Sequence, residues 1–431
     1  MSNESKPSVS RVAGLGAGLS PHAPSILLPL RFMVTGLLAL FAGVTMLVLR
    51  PDILATYHYN QYVVAVTHLF VLGWISTIVM GAMYQLVPVA LETKLYSERL
   101  ARWQFVLHLV GWTGMVWMFW TWNMKQVGHF GSVLALGVGL FAYNIFRTLL
   151  RVPRWNFIAT SVASALAWLS FTVLVGLTIA AGKSSFESES SPAANTVVGA
   201  LVEAVRSIGT LASRFDAIGA MHAHAHSGAV GVFLMLIVGI SYKLVPMFTL
   251  SEVQSPWRAR ISIVLLNVGL LGSFAAILNR SVLKPVCALV VIAGLVLYGV
   301  EIAAILRARK RRALDWGIKY FLTAIGLLVP ISILALVLSW PSLPLTAFTG
   351  QLENLYGFLA LLGVVSFAII GMLYKILPFL VWYGTYSSRI GLNKVPSLAD
   401  LYSPGLQTLG YWTYVSGLVA TSVATVLSHQ V

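Results

Sequence analysis

The 431-residue chain is poor in two things that soluble proteins carry in quantity, charge and cysteine. Only 10% of its residues are charged, against roughly 25% in an ordinary soluble domain, which excludes a soluble enzyme of any fold. Cys287 is the one cysteine. A lone thiol rules out a disulfide framework, a CxxCH covalent haem site, a four-cysteine cluster and a paired-thiolate copper centre. Acidic residues are scarcer than basic ones, 13 Asp and Glu against 28 Lys and Arg, for a formal charge of +15. Only Glu301 among the acids sits clearly inside an apolar run, a turn or two from its end. Intramembrane proton relays need chains of such groups, so proton pumping is not expected. Glu301 reads instead as a structural partner for the basic cluster at 307–312.

What the chain has in abundance is apolar sequence, 58% of the total. Runs of about 20 apolar residues cross a hydrocarbon core of about 30 Å at 1.5 Å rise per residue. Eleven such runs lie near 27–49, 61–89, 102–122, 129–150, 156–181, 221–248, 259–279, 285–307, 317–340, 353–383 and 406–428. The expected fold class is therefore all-α, a polytopic membrane protein of about 11 spans. The first run is too long for a signal-peptide core, and no small-residue cleavage site follows a short one. The N-terminal tail and the connections after the even-numbered spans, counted with the adjoining halves of the spans, hold 21 of the 28 basic residues. By the positive-inside rule the N-terminus is cytoplasmic and the C-terminus outside, in a bacterial-type inner membrane. The densest patch, Arg307, Arg309, Lys310, Arg311 and Arg312, is accounted for by anionic lipid headgroups, so no nucleic-acid partner is expected. One composition break interrupts the pattern, the outer loop 183–216. Its Ser/Glu-rich first half reads as flexible, and Val197, Leu201, Val205 and Ile208 recur at the spacing of a surface amphipathic helix.

An ungapped internal repeat orders the spans. Residues 67–88, 225–246 and 357–378 share a frame whose first position is His68, His226 or Phe358. Two glycines follow (Gly73 and Gly81; Gly231 and Gly239; Gly363 and Gly371), then Tyr84, Tyr242 or Tyr374, and last Pro88, Pro246 or Pro378. The copies fall on spans 2, 6 and 10, which predicts a single membrane domain of three parallel units, about 27–150, 156–312 and 317–428. The units hold 4, 4 and 3 spans about a pseudo-threefold axis. The glycines are expected to allow close helix packing, the tyrosines to anchor the inner interface, Lys243 and Lys375 to snorkel to headgroups, and the prolines to end the helices. A missing twelfth span predicts a partner helix that completes the third unit.

Packing does not explain histidine at the first position of two copies. His68 and His226 map to the outer third of the membrane, as do His58, His129, His222 and His224 or the loops that carry them. Polar groups in spans are costly and usually functional. In the stretch MHAHAHSG, His222 and His226 share a helix face while His224 points roughly the opposite way, so one helix supplies two pockets. Imidazoles without thiolates suit haem iron, copper or zinc. Three assignments stay open: a haem held between His68 and a histidine of span 6, a copper or other metal site made by His222, His224 and His226, or histidines hydrogen-bonded within the bundle or lining water. His108 reads as a hydrogen-bonded core residue.

These features together resemble subunit I of the haem–copper oxidases. That family has twelve spans in three four-span units, with a low-spin haem ligand on span 2, a copper ligand on span 6 and haem ligands on span 10. His68 occupies the span-2 position, and His226-Ser-Gly-Ala-Val-Gly is similar to the span-6 helix of the low-oxygen-adapted oxidases. The departures are specific. Span 10 carries Tyr356-Gly357-Phe358 where the family has a His-x-His pair, and span 7 has Asn267 as its most polar residue where two copper histidines belong. The resemblance therefore implies a divergent member that binds haem b and transfers electrons, without its own binuclear centre for oxygen or nitric oxide reduction. Its partners would be membrane lipid and a periplasmic redox protein, a quinol or other respiratory subunits. An outward-facing copper-binding or metal-handling assembly protein is the alternative.

Overall fold

The computed structural model describes residues 25–184, 207, 210, 215–390 and 392–427. The expected surface helix around Val197–Ile208 lies outside the described residues, as do His22 and His429. The described residues are helical without strands, and each of the eleven apolar runs lies on one long helix. These are α1 (Leu27–Leu49), α2 (Gln61–Ala90), α3 (Glu98–Trp120), α4 (Met124–Leu149), α5 (Phe157–Ser184) and α6 (Ala217–Thr249). They continue as α7 (Pro256–Leu278), α8 (Lys284–Arg307), α9 (Trp316–Ser339), α10 (Ala347–Arg389) and α11 (Pro404–Leu427). Among the described residues nine helices are long and apolar enough to cross a membrane. The other two, α3 and α11, have 23 and 24 residues but a more polar composition.

Polar caps start many of the helices. Asn60, Ser97, Asn123, Asp216, Ser255 and Asp315 each accept a hydrogen bond from the first turn of the helix that follows. Consecutive helices then pack side by side, α1 with α2, α3 with α4, α5 with α6, α7 with α8, and α9 with α10. Lipid-facing positions stay apolar and exposed, among them Leu38, Phe41, Trp103, Trp117, Leu271, Val329 and Trp412.

The repeat frame does the same packing work in each copy. Gly73 and Gly81 of α2 lie against Ala39 and Phe32 of α1. Gly231 and Gly239 of α6 lie against Trp168 and Ser161 of α5, and Gly363 and Gly371 of α10 against Leu327 and Gly317 of α9. The frame tyrosines differ from expectation. Tyr84 and Tyr242 are fully buried, not interfacial; Tyr84 donates to Gln104 Oε1 of α3 at 3.2 Å, and Tyr242 meets Ser262 Oγ of α7 at 2.9 Å. A phenol in the core needs such a partner. The prolines do not end the helices either. Pro88, Pro246 and Pro378 lie inside their helices, and α10 runs eight residues beyond its proline to Tyr386 before a terminal tight turn. Lys375 is held by Asp315 at the start of α9 rather than extended to headgroups.

Glu301 is fully buried, and its partner is not the 307–312 cluster. It accepts from the backbone N–H of Gln254 at 2.6 Å and of Ser255 at 2.9 Å, and pairs with Arg258 Nε at 2.7 Å. The carboxylate thus ties the turn between α6 and α7 to α8.

Two outcomes check this packing. Gly371→Ala drives a Cβ into the Gly317 carbonyl and Tyr320, where backbone cannot yield, and should cost about 1–3 kcal/mol. Gly139→Ala meets no atom within 4 Å and should stay within about 0.5 kcal/mol of wild type; thermal unfolding in detergent compares the two. Arg258→Ala removes the charge opposite a buried carboxylate and should lower stability by about 3–5 kcal/mol in the same assay.

Candidate functional site

In all three frame copies the helix loosens just past the first position. π-Helical segments run over Leu69–Ser76, Ser227–Leu234 and Leu359–Val365. Such i→i+5 turns are rare and occur mostly at functional sites. Their carbonyls find side-chain donors: Thr77 Oγ1 donates to the Leu72 carbonyl and Ser366 Oγ to the Leu361 carbonyl, each at 2.8 Å. Trp74 Nε1 donates to Ser366 Oγ at 2.9 Å and so joins the loosened turns of α2 and α10. His108 closes this arrangement, with Nε2 at 3.0 Å from Thr77 Oγ1 and 3.2 Å from the Leu72 carbonyl. It is a core residue, as expected.

Two first-position histidines sit at the mouth of their π-segments with matching geometry. His68 Nδ1 lies 2.8 Å from the Val64 carbonyl, and His226 Nδ1 lies 2.8 Å from the His222 carbonyl. A carbonyl only accepts, so in each ring Nδ1 carries the proton and Nε2 presents its lone pair. His226 Nε2 is 3.3 Å from the Tyr356 hydroxyl, the two rings stacked 5.7 Å apart. His68 stacks against Phe119 of α3 at 4.5 Å.

The three histidines of α6 face three different neighbours. His222 meets His58, with 2.9 Å between their Nε2 atoms. His226 meets Tyr356. His224 turns to the other side, where its ring fills the notch left by Gly176 of α5; a Cβ there would stand 2.9 Å from its Cε1. The Thr172 backbone is the polar group beside that ring, and His68 is the ionisable group that interacts with it electrostatically. His224 Nδ1 is buried without a hydrogen-bond partner. His68 therefore acts on the His224 ring only electrostatically, and His222, His224 and His226 do not gather at one point. An apolar cleft opens between α2, α4, α5 and α6, lined by Met80, Met83, Phe141, Leu166, Leu169 and Phe233.

Sequence reading missed Glu353. Its carboxylate Oε2 lies 3.4 Å from His58 Nδ1, although 295 residues separate the two in the chain. The only available signal was that it begins an apolar run just ahead of a frame position, as His222 does. Outside the spans, burial pushes the His58 imidazole down to about 4, so the ring is neutral at physiological pH. His129 bonds only Gln126, its neighbour one turn away on α4, at 3.2 Å.

Asp216 holds the start of α6 and so sets the depth of its histidines. It accepts from Gly219 N–H at 2.8 Å and pairs with Arg280 at 2.7 Å. The Arg280 hydrogen bond, then the Gly219 one, keep its carboxyl below the usual carboxylate range. A lowered folded-state value means that its stabilisation is present above about pH 4, the ordinary aspartate value, and fades as pH falls below that. Asp216→Ala should lower stability by about 1 kcal/mol at pH 7 through loss of the cap. The gap to wild type in thermal melts should shrink below pH 4.

Residues 19–128 match the family described as Cytochrome C and Quinol oxidase polypeptide I. The match runs from ahead of α1 into the start of α4 and includes His68. Over this stretch the chain is related to subunit I of the haem–copper oxidases. No match to the chain was found among curated proteins.

Proposed function

We propose that this chain is a haem-b-binding electron-transfer protein of the membrane, in which His68 and His224 would hold the haem. The observation that carries the proposal is the pairing of two imidazoles from different helices that each keep a nitrogen for a ligand. His68 offers Nε2 because Nδ1 is tied to Val64. His224 keeps a buried Nδ1 that nothing in the protein satisfies. A buried polar nitrogen without a partner is costly, and iron is the ligand that suits imidazole in this setting. Held by two imidazoles, a b-type haem would supply single-electron transfer rather than small-molecule chemistry. The protein's own work is positional. Val64 fixes the His68 tautomer, Phe119 packs on its ring, and Gly176 makes room for His224.

The family's copper finds no such fit. Helix α7 brings no histidine to the centre, and Asn267 is occupied, accepting from Trp168 Nε1 at 3.0 Å and donating to the Ile263 carbonyl at 2.8 Å. No oxygen- or nitric-oxide-reducing step is derived for this chain. A copper site of His222, His224 and His226 is the weaker alternative, since the three side chains diverge.

The wider assembly follows from the same premises. The chain is an eleven-span protein of the bacterial-type inner membrane, N-terminus inside and C-terminus outside, in three units of 4, 4 and 3 helices. The haem ligands then lie near the outer face, where a periplasmic redox protein, a quinol or another respiratory subunit exchanges electrons. The weakly buried α11 faces a partner helix.

A visible spectrum and a pyridine haemochrome assay on the detergent-purified chain test the assignment. Wild type should show the sharp reduced α-band of low-spin b haem. His68→Ala and His224→Ala should each lose most of it, and His129→Ala should keep it. Colourless wild-type protein from a haem-replete host, or full haem content in both ligand variants, would overturn it.

A further inference from the structure

A second cluster stands apart from the His68–His224 pair, at the end of the bundle where α2, α6 and α10 begin. His58, His222 and Glu353 each offer one donor atom, and the three donors lie within 4.8 Å of one another. We infer that His58, His222 and Glu353 bind one divalent first-row transition-metal ion. Two imidazoles and a carboxylate, with no thiolate, form the donor set of zinc and of non-haem iron sites. Donors on one such ion stand about 3–4 Å apart, given bonds of about 2.0–2.2 Å. His222 Nε2 stands 2.9 Å from His58 Nε2, and Glu353 Oε2 stands 3.4 Å from His58 Nδ1; His58 gives one of its two ring nitrogens to the ion, and the three donors so used lie within 4.8 Å of one another.

A purely hydrogen-bonded cluster accounts for less. His58 Nδ1 is buried yet makes no hydrogen bond, even with the carboxylate 3.4 Å away. Among the described residues no Lys or Arg lies within ion-pair distance of the Glu353 carboxylate. Lys284 acts on it only from further off. A cation at the centre would take the carboxylate, the His222 imidazole and one ring nitrogen of His58 together. The residues are half-buried, so an ion can enter from solvent, and three protein ligands leave a coordination position for water.

The cluster is also braced. On either side of Glu353, Gln351 Nε2 donates to the Ala55 carbonyl and Asn354 Nδ2 to the Thr56 carbonyl, each at 2.9 Å. These amides hold the turn that carries His58 against α10, and the Tyr57 ring lies 4.2 Å from the imidazole. Each ligand precedes a different copy of the frame. His58 is ten residues ahead of His68, His222 four ahead of His226, and Glu353 five ahead of Phe358. The ion therefore ties together the starts of the three helices that carry the repeat, one turn above His226.

The test uses the full-length protein in detergent, stripped with chelator, reloaded with Zn²⁺ and desalted, with zinc per chain measured by elemental analysis. Wild type and His129→Ala should hold one zinc per chain. His58→Ala and the isosteric Glu353→Gln should bind it at least tenfold more weakly, with haem content unchanged. Absence of stoichiometric zinc in wild type, or retention of it by both variants, would sink the inference. If His58→Ala is poorly folded, Glu353→Gln decides alone, since it keeps the shape of the side chain and the amide-held turn. Because haem is read separately, loss of the α-band in wild type with zinc retained would overturn only the haem assignment.

Discussion

Everything in the bundle rests on how closely α2, α6 and α10 approach the helices before them. In hydrocarbon no water is expelled when helices meet, so association depends on van der Waals contact and hydrogen bonds between them. Glycine at two positions eight residues apart removes the side chains from one stripe and lets a neighbouring helix sit against the backbone. Gly81 under Phe32, Gly239 under Ser161 and Gly371 under Gly317 are three instances of one contact. The frame tyrosine of each helix also reaches a further helix: Tyr84 to α3, Tyr242 to α7, and Tyr374 towards Gly410 of α11.

That tight packing gives the loosened turns their meaning. A π-helical segment releases carbonyls from the regular ladder, and buried carbonyls must be satisfied. Thr77, Ser366, Trp74 and His108 answer that need around α2 and α10. The first-position histidines stand at the last regular turn, where an i−4 carbonyl is still in place to take the Nδ1 proton. The same backbone device that fixes the tautomer of His68 fixes that of His226. What differs is the far nitrogen, which faces the Tyr356 hydroxyl in His226 and is the proposed haem ligand in His68.

The polar groups divide by the role their surroundings allow. Glu301 is saturated by two backbone N–H groups and a guanidinium, and it holds a turn. Asn267 is spent on hydrogen bonds within the core, and His108 bonds there through Nε2 alone. His224 and the His58–His222–Glu353 cluster retain unsatisfied nitrogens.

Composition, run length and the ungapped repeat determined the all-helical membrane class, the position of each long helix and the stripes along which they pack. These are one-dimensional properties: hydrocarbon demands about 20 apolar residues per crossing and glycine at each close approach. Helical spacing also determined that His224 would part from His222 and His226. The neighbours of those histidines were decided in three dimensions, because Gly176, Tyr356 and Glu353 come from helices up to about 130 residues away along the chain. So were the burial of Tyr84 and Tyr242, the continuation of α10 past Pro378 and the pairing of Glu301 with Arg258. A polar or helix-breaking residue is sited by the partner that satisfies it, and the partner is known only when the helices have met.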